Sequence, residues 1–193
     1  MILSDRDIKK AIVDGEIRLV PFYLECIQPA SIDLHLDKYF LIFDKTQATI
    51  LDVKKPVDNL MREVNLTEDE DSAFILHPGE FALGNILERT YVSNGYVGRL
   101  EGKSSLGRLG LLIHSTAGFL DPGNDCNMTL ELFNCGSLPI KLYYKMKIGQ
   151  IAFEKISSPS EVGYGDKKLG SKYYGDTKVR ASQFHKNFEK KKI

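Results

Sequence analysis

The densest group of polar residues that could do chemistry lies at residues 102–110, with the sequence Gly-Lys-Ser-Ser-Leu-Gly-Arg-Leu-Gly. Glycine lets the backbone approach a ligand closely, and Ser104 and Ser105 can cap a short helix whose first N–H groups would face an anion. Ser104 and Arg108 are four residues apart and would share one face of a helical turn. Arg108 could then add a charge-assisted contact to phosphate. A capped surface turn remains the alternative interpretation.

Two acidic residues further along the chain are candidates for acid–base chemistry. Asp121 precedes a Pro-Gly pair, which is typical of a turn, and its carboxylate could orient a water, a sugar hydroxyl or a metal. Glu131 lies in an alternating stretch and shares a strand face with Thr129 and Phe133. A carboxylate beside apolar groups can exchange protons near neutral pH. A plain turn and a solvent-facing glutamate are the alternatives, and His114 is expected to be a packed or surface histidine.

Several common kinds of site are missing from the sequence. Zinc deaminases need His-x-Glu and Pro-Cys-x-x-Cys, and neither motif is present. There is also no Walker-type loop, no Gly-x-Ser-x-Gly and no Rossmann glycine set. A formal net charge of +0, from 26 basic and 26 acidic residues, argues against a general nucleic-acid binder.

The cysteines and the hydropathy indicate the compartment. Cys26, Cys126 and Cys135 are an odd number without paired spacing, which argues against a disulfide framework. No window resembles a signal peptide or a membrane span. We therefore expect a protein of the reducing cytoplasm that does not act at a membrane.

The elements that must position the candidate residues are mostly strands. Ser4 followed by acidic residues predicts a short helix over residues 5–14, which Gly15 ends. Short apolar segments with a period of two then predict strands at 32–36, 40–43, 74–76, 81–83, 96–100, 128–133, 140–144 and 148–153. The acidic segment 58–71 resembles a loop in which residues 60–64 could form a helical turn. The pattern favours an all-β barrel or a jelly-roll-like sandwich.

The periodicity ends near residue 156. Residues 1–156 are predicted to form one β domain with its N-terminal helix, and residues 157–193 a C-terminal arm rich in Gly, Ser, Lys and Tyr. Sites on such folds lie in crevices between sheets or subunits, and the arm could close over one. The final Lys190, Lys191 and Lys192 are most simply a solvated end.

Taken in order, these segments resemble one family, the dCTP deaminases of the dUTPase superfamily. The resemblance covers nearly the whole chain, and the order and spacing of its motifs make it highly specific. It rests on residues 1–8 (MILSDRDI), 28–34 (QPASIDL), 101–111 (EGKSSLGRLGL), 115–123 (STAGFLDPG), 129–132 (TLEL), 147–150 (KIGQ), 157–161 (SSPSE) and 170–173 (GSKY).

The resemblance implies a mainly β, distorted jelly-roll or β-barrel fold of the dUTPase-like type, in a homotrimer with active sites between subunits. It implies a zinc-free deamination in which Glu131 is the general acid and base. Ser104 and the backbone carbonyl of Ala117 would position the attacking water, and Arg108 would stabilise charge near the ring. Mg²⁺ would be bound through the triphosphate and not in a protein cage. The substrates would be dCTP and dUTP, with dTTP as a possible inhibitor.

The resemblance also implies a set of nucleotide-binding residues. Lys103, Ser105 and neighbouring backbone groups would hold the triphosphate, partly from an adjacent subunit. Gln150, Tyr164 and Lys172 match phosphate-contacting positions. The predicted set is Lys103, Ser104, Ser105, Leu106, Gly107, Arg108, Asp121, Thr129, Leu130, Glu131, Gln150, Tyr164, Lys172 and Asp176.

One pair of residues indicates where the reaction stops. In family members that only deaminate, Thr-Ala is followed by His-Arg, and in bifunctional members by Gly and an aromatic residue. This chain has Gly118 and Phe119, which resembles the dUMP-forming branch that also cleaves the α–β phosphate bond. Asp121 and Gln150 are candidates to orient the second water. A deaminase that releases dUTP, a plain dUTPase and a non-catalytic nucleotide-binding relative are the alternatives.

The chain departs from the family pattern at three places. After Asp-Pro-Gly the family usually has an aromatic residue, a variable residue and Gly, where this chain has Asn124-Asp125-Cys126. On the arm, Asp176 stands where the family usually has a Gln that contacts the nucleotide. An acid near a triphosphate is unfavourable unless it faces Mg²⁺ or solvent. Lys178 replaces the following Gly, and its charge could compensate for that of Asp176.

Overall fold

A computed structural model describes residues 1–46 and 50–189 of the chain, so the predicted solvated end at Lys190–Lys192 lies outside the described residues. The described part contains helix α1 (Asp5–Val13), a short helix α2 (Ser104–Gly107) and thirteen strands. The strands are β1 (Ile17–Val20), β2 (Ile27–Gln28), β3 (Ser31–His35), β4 (Tyr39–Phe43), β5 (Met61–Asn65), β6 (Ala73–Leu76), β7 (Phe81–Val92), β8 (Tyr96–Gly102), β9 (Leu111–Leu112), β10 (Phe119–Leu120), β11 (Asp125–Asn134), β12 (Ile140–Tyr143) and β13 (Lys147–Lys155). Short 3-10 turns lie at Leu24–Cys26, Asp58–Leu60 and Phe184–Phe188.

The strands form two larger antiparallel sheets. In the described residues one sheet has the order β5-β4-β7-β11-β9, and β1 also pairs with β7. The other sheet has the order β10-β8-β13-β3-β2, and β6 pairs with β12 apart from both. The predicted mainly β fold with a short N-terminal helix is confirmed.

Alternating apolar residues of both sheets meet in one core. Because side chains on a strand alternate between its two faces, each sheet presents one apolar face to the other. The fully buried side chains include Phe40, Ile86 and Leu130 of the first sheet, and Ile32, Leu100 and Phe153 of the second. All of them belong to a single cluster of buried residues, so the two sheets pack face to face.

Helix α1 begins and ends where the sequence predicts, within one residue. The hydroxyl of Ser4 accepts a hydrogen bond from the backbone N–H of Asp7, and Ile8 and Ala11 are the buried face. Gly15 follows the helix with a φ of 75°, a left-handed conformation that glycine adopts without strain. None of the described helices is long and apolar enough to cross a membrane.

Strand β7 is longer than the predicted strand at residues 81–83. Beyond the predicted segment, β7 carries the buried polar residues Asn85, Glu88 and Thr90, which break the apolar pattern in the sequence. The Asn85 amide donates to the Asp37 carboxylate (3.0 Å), and the Glu88 carboxylate accepts from the backbone N–H of His35 (3.0 Å). These partners lie about 50 residues away in the chain, so no local sequence pattern predicts the hydrogen bonds.

Two further segments differ from the expectations. The helical turn considered at residues 60–64 is wrong, because residues 61–65 form β5 and pair with β4 across its whole length. Strand β1 was not among the predicted strands, although Ile17 and Leu19 alternate with exposed residues. Both segments are edge strands, and their backbone hydrogen bonds come from neighbours that are distant in sequence.

Candidate functional site

A cavity of about 410 Å³ lies between strand β11 and the C-terminal arm, a volume suited to a small ligand. Its walls come from β10 and the loop residue Ala117, from the start and middle of β11, and from residues 164–182 of the arm. Phe43 of β4, Met61 of β5, and Phe81 and Leu83 of β7 complete the lining. The predicted site residues that line it are Ala117, Phe119, Asp121, Thr129, Glu131, Tyr164 and Asp176.

Glu131 is fixed in this cavity by the backbone of the preceding loop. Its Oε2 accepts hydrogen bonds from the backbone N–H groups of Ser115 (2.8 Å) and Thr116 (3.3 Å). Its own N–H donates to the carbonyl of Ile113 (2.9 Å), which holds the loop against β11. Oε1 has no hydrogen-bond partner within the described residues, so one carboxylate oxygen is available to a water or a substrate.

The alternation predicted for β11 is confirmed. Thr129 and Glu131 are half-buried on the cavity side, whereas Leu130 points the other way and is fully buried in the core. The side chain of Leu130 therefore cannot contact a nucleotide in this cavity. Any contact that Leu130 makes there would use its backbone groups.

The loop before β10 comes very close to β8 at Gly118. The backbone N–H of Leu100 donates to the Gly118 carbonyl at 2.6 Å. A Cβ added at Gly118 would lie 2.8 Å from the Leu100 carbonyl oxygen and 3.4 Å from the His114 ring. A side chain therefore does not fit at this position without a backbone shift. Phe119 follows at once and forms part of the cavity wall, where its side chain is largely exposed.

The turn after Asp121 packs tightly against the arm. The Tyr164 N–H donates to the Pro122 carbonyl at 2.7 Å. Gly123 has a φ of 80°, and a Cβ there would lie 2.8 Å from the Asn94 side-chain oxygen. Asp121 lies between the large cavity and a second cavity of about 310 Å³ beside the arm. Desolvation there raises the pKa of the Asp121 carboxyl above its ordinary value.

Of the unusual residues after Gly123, Asn124 precedes β11, and Asp125 and Cys126 are its first two residues. The carboxylate of Asp125 pairs with Arg89 at 2.7 Å, and Asn124 and Cys126 are buried. Burial and the nearby Asp176 raise the pKa of the Cys126 thiol to about 12, which keeps it protonated and unreactive. This departure from the family pattern is therefore accommodated by packing and by an ion pair.

On the arm, Asp176 faces a cation that the sequence analysis did not single out. Its Oδ1 accepts a hydrogen bond from Arg180 Nη1 at 2.8 Å. Lys178 instead lies over the Tyr39 ring, with Nζ 4.8 Å from the ring centroid. The expectation that Lys178 compensates for the charge of Asp176 is therefore wrong in this structure. No sequence signal identifies the pair, because a spacing of four residues brings side chains together in a helix and residues 176–180 are not helical.

Tyr164 lines both cavities, and burial raises the pKa of its hydroxyl. Lys172 lines only the smaller one, beside Asp121. The two arm residues that resemble phosphate-contacting positions are therefore both placed near Asp121.

The other predicted residues form a second group away from the large cavity. Among the described lining residues none comes from residues 103–108, and Gln150 is absent as well. Helix α2 has Lys103 as its N-cap residue without a side-chain cap, so the expectation that Ser104 and Ser105 cap it is wrong. Arg108 N–H donates to the Ser104 carbonyl at 3.0 Å, which confirms the helical turn.

This second group is organised by Asp33, a buried carboxylate of the motif at residues 28–34. Its two oxygens accept from Lys103 Nζ (2.6 Å) and Lys147 Nζ (3.0 Å). Burial alone would raise the pKa of Asp33, but hydrogen bonds and charge from the two lysines outweigh it, and the pKa is lowered. The Gln150 side chain accepts from Ser31 (2.8 Å).

No group of three or more His, Cys, Asp and Glu side chains that could hold a metal occurs in the described part of the chain. The carboxylate of Asp121 is a hard oxygen donor, which suits Mg²⁺, whereas the carboxylate of Asp176 is paired with Arg180. Asp121 fits an ion whose remaining ligands come from another source, such as phosphate oxygens.

Residues 2–156 match the family model described as dCTP deaminase-like. A protein named dCTP deaminase, dUMP-forming, from Corynebacterium kroppenstedtii is 51% identical over 188 residues, which are 97% of this chain and 100% of that protein. One of the same name from Corynebacterium glutamicum (strain R) is 49% identical over 191 residues, 99% of this chain and 100% of that protein.

Among solved structures, 2'-deoxycytidine 5'-triphosphate deaminase from Agrobacterium tumefaciens aligns with a TM-score of 0.62 and 20% identity. The alignment covers 80% of this chain and 48% of that chain, and it shows a shared fold. The family model spans most of the chain, and relatives about half identical match nearly all of it. The chain therefore belongs to the dCTP deaminase-like family.

Proposed function

We propose that this protein is a bifunctional dCTP deaminase that converts dCTP and two waters into dUMP, ammonia and diphosphate. The observation that carries the proposal is the Glu131 carboxylate, which two backbone N–H groups hold in a cavity walled by Phe119. The names of the relatives support it, because they include both the dCTP deamination and the dUMP product.

In the first step water adds to C4 of cytosine. Glu131 takes a proton from this water and delivers it to N3. It then takes the proton of the new C4 hydroxyl and gives it to the amino group, so that the C4–N bond breaks, ammonia leaves and the C4 carbonyl forms. The fixed Oε2 holds the carboxylate in place, while Oε1 exchanges the proton. The Ala117 carbonyl and Ser104 position the water, and Arg108 stabilises charge near the ring.

In the second step water attacks the α-phosphorus of dUTP, the bond to the bridging oxygen breaks, and diphosphate leaves. Asp121 lies at the cavity edge and Gln150 in the second group, and we propose that both orient this water. Bound Mg²⁺ would offset the charge of the phosphates. Gly118 and Phe119 support this second step, because the tight approach of Gly118 to Leu100 leaves no room for the histidine of members that only deaminate.

The mainly acidic lining of the cavity supports an assembly in which each active site is built from residues of two subunits. Its charged lining consists, within the described residues, of three carboxylates (Asp121, Glu131 and Asp176) and the guanidinium of Arg180. Such a lining repels a triphosphate, so further cations are needed. We propose that Lys103, Ser104, Ser105, Arg108 and the backbone of Leu106 and Gly107 come from a neighbouring subunit of a homotrimer. We also propose that Tyr164 and Lys172 of the arm contact the phosphates.

Two smaller points follow from the same proposal. No zinc is required, because the chain lacks the zinc-deaminase motifs. The three free thiols suit the reducing cytoplasm.

Inhibition by dTTP would be measured as a rise in the KM for dCTP, since dTTP shares the deoxyribose triphosphate.

The test is to incubate the protein with dCTP and Mg²⁺ and to analyse the products over time. We expect dUMP, ammonia and diphosphate in equal amounts. Accumulated dUTP without diphosphate would establish a monofunctional deaminase. Cleavage of dUTP with no reaction of dCTP would establish a dUTPase, and tight dCTP binding without turnover a non-catalytic relative.

The Glu131→Gln variant tests the assigned role of Glu131. We expect deamination to fall by about 10³-fold or more, because the amide cannot exchange the proton, while dCTP binding persists. The matched control is Glu63→Gln, which changes an exposed strand glutamate and is expected to leave the rate unchanged. Full activity of Glu131→Gln would contradict the proposed mechanism.

A further inference from the structure

We propose that Arg180 binds a phosphate oxygen of the nucleotide, and that Asp176 is a positioning residue that holds Arg180 at the cavity. This inference rests on the proposed function and extends it to a residue outside the predicted site. It starts from the charge of the cavity, in which Arg180 is the one cationic side chain among the described lining residues.

Asp176 is well placed to hold another side chain. Its backbone carbonyl accepts from the Asn127 N–H (2.8 Å), and the Gly175 N–H donates to the Asp125 carbonyl (3.0 Å). Both bonds fasten this part of the arm to β11, the strand that carries Glu131. The side chain of Asp176 is only 13% exposed, so its carboxylate has little freedom to turn into solvent.

Arg180 keeps donors free for a ligand. Its side chain is 43% exposed, and its hydrogen bond to Asp176 uses one of the five N–H donors of the guanidinium. A carboxylate can only accept hydrogen bonds, so Asp176 by itself offers nothing to a phosphate. A guanidinium oriented by a buried carboxylate is instead the arrangement that binds phosphate oxygens well, because the planar fork is already in place.

Lys178 supplies the matched control within the same segment. It carries the same charge two residues away, but its ammonium group lies over the Tyr39 ring. Removing the charge of Lys178 therefore changes the net charge of the arm without changing the lining of the cavity.

The experiment measures dCTP and deoxycytidine binding to full-length Arg180→Gln, Arg180→Lys and Lys178→Gln by calorimetry or competition, in the non-turning-over Glu131→Gln background. We expect Arg180→Gln to weaken dCTP binding by about tenfold or more, the loss of one charge-assisted hydrogen bond. Arg180→Lys should recover part of it, and Lys178→Gln should change it by less than about threefold. Deoxycytidine, which has no phosphate, should be unaffected by any of the three.

The role of Asp176 is tested by a double-mutant cycle with Asp176→Asn and Arg180→Gln. If Asp176 acts only through Arg180, Asp176→Asn weakens dCTP binding when Arg180 is present and has no effect when it is combined with Arg180→Gln. An equal effect in both backgrounds would overturn the positioning role. Unfolding temperatures of the variants establish that each is folded before its affinity is compared.

Different results would contradict the role of Arg180 and the proposed activity. In the protein that keeps Glu131 and turns over dCTP, the Arg180→Gln substitution should raise the KM for dCTP and leave kcat within about threefold. Equal dCTP affinity for Arg180→Gln and Lys178→Gln would overturn the inference and leave the function standing. An equal loss for dCTP and deoxycytidine would overturn the assignment to phosphate. Absence of dCTP turnover by the unaltered protein would overturn the function alone, since binding is measured separately.

Discussion

At the scale of single residues, the partners of three acidic side chains distinguish carboxylates that stabilise the fold from one that is free to contact a ligand. Glu88 is 2% exposed and is paired with His35 Nδ1 at 2.5 Å. Asp33 is 3% exposed and is paired with two lysines. Glu131 is instead held by backbone N–H groups and keeps one oxygen unpaired within the described residues. Of these three carboxylates, only that of Glu131 has no basic side chain as a partner within the described residues.

The first prediction concerns Asp33, which we expect to stabilise the fold. Asp33→Asn leaves Lys103 and Lys147 without their shared acceptor and should lower the free energy of unfolding at pH 7 by about 2 kcal/mol. The folded pKa of Asp33 lies below its ordinary value of 3.8, so its stabilisation is present above pH 3.8 and is lost as the pH falls through the lower folded value. Urea unfolding of both proteins across this range measures the difference.

The control for this prediction is Asp71→Asn, which removes the same charge from an exposed loop. We expect a change of less than about 0.5 kcal/mol for it at every pH. A difference between the unaltered protein and Asp33→Asn that stays constant below pH 3.8 would show that charge pairing is not the source of the stability.

At the scale of elements, the loop between β9 and β10 connects the cavity to the core. Its N–H groups at Ser115 and Thr116 hold Glu131, its Ala117 lines the cavity, and its Gly118 pairs with Leu100 of β8. The position of Glu131, the proposed general acid and base, is therefore tied to how closely this loop approaches β8. A substitution at Gly118, the point of closest approach, should therefore shift the position of the Glu131 carboxylate.

We predict that Gly118→Ala impairs both stability and deamination. The added Cβ lies 2.8 Å from the Leu100 carbonyl oxygen, so the backbone must shift. The expected cost is about 1–3 kcal/mol in the free energy of unfolding, together with a lower kcat because the Glu131 and Ala117 positions move. Urea unfolding and initial rates with dCTP measure the two effects.

Gly95→Ala is the matched control for the loop. The nearest atom to a Cβ there is the Ser93 hydroxyl at 3.8 Å, an ordinary contact, and its φ is not left-handed. We expect its stability to change by less than about 1 kcal/mol and its rate not at all. If Gly118→Ala and Gly95→Ala have the same stability and the same deamination rate, the loop can shift at Gly118 without moving Glu131.

At the scale of the whole molecule, the predicted site residues fall into two groups. Glu131, Ala117 and Asp121 line one cavity, whereas α2 and Gln150 lie elsewhere on the same chain. A reaction that needs both groups requires them to meet across subunits, as in a closed symmetric oligomer. This arrangement would also bring the cations of Lys103 and Arg108 to a cavity lined mainly by carboxylates.

Mixed assemblies test this arrangement. Glu131→Gln and Arg108→Ala should each be inactive alone, but co-expression should restore activity, because a site can take Glu131 from one subunit and Arg108 from the other. With random mixing about a quarter of the sites are intact. The specific activity of the co-purified assembly measures this fraction.

The control pairs Glu131→Gln with Asp121→Asn, two changes that line the same cavity of one chain. Every mixed site then lacks one of the two carboxylates, so mixing creates no intact site, and ammonia release should equal the average of the two separate proteins. Ammonia release above that average, or no recovery with Arg108→Ala, would show that Glu131 and Arg108 do not come from different subunits.

The sequence by itself determined the β architecture, helix α1, the family and the alternation that puts Thr129 and Glu131 on one face of β11. These features depend on neighbours in the chain, because periodicity, helix caps and motif spacing are local. Only the tertiary structure decided that β7 continues through buried Asn85 and Glu88, since their partners Asp37 and His35 come from distant segments.

The same distinction applies to the site. The motifs identified Glu131, Asp121 and Gly118, but not that Asp33 holds Lys103 from a separate motif or that Arg180, in place of Lys178, neutralises Asp176. Charges pair according to distance in space, and burial makes each pairing strong or weak. A sequence shows which charged residues a chain has, and the fold decides which of them meet.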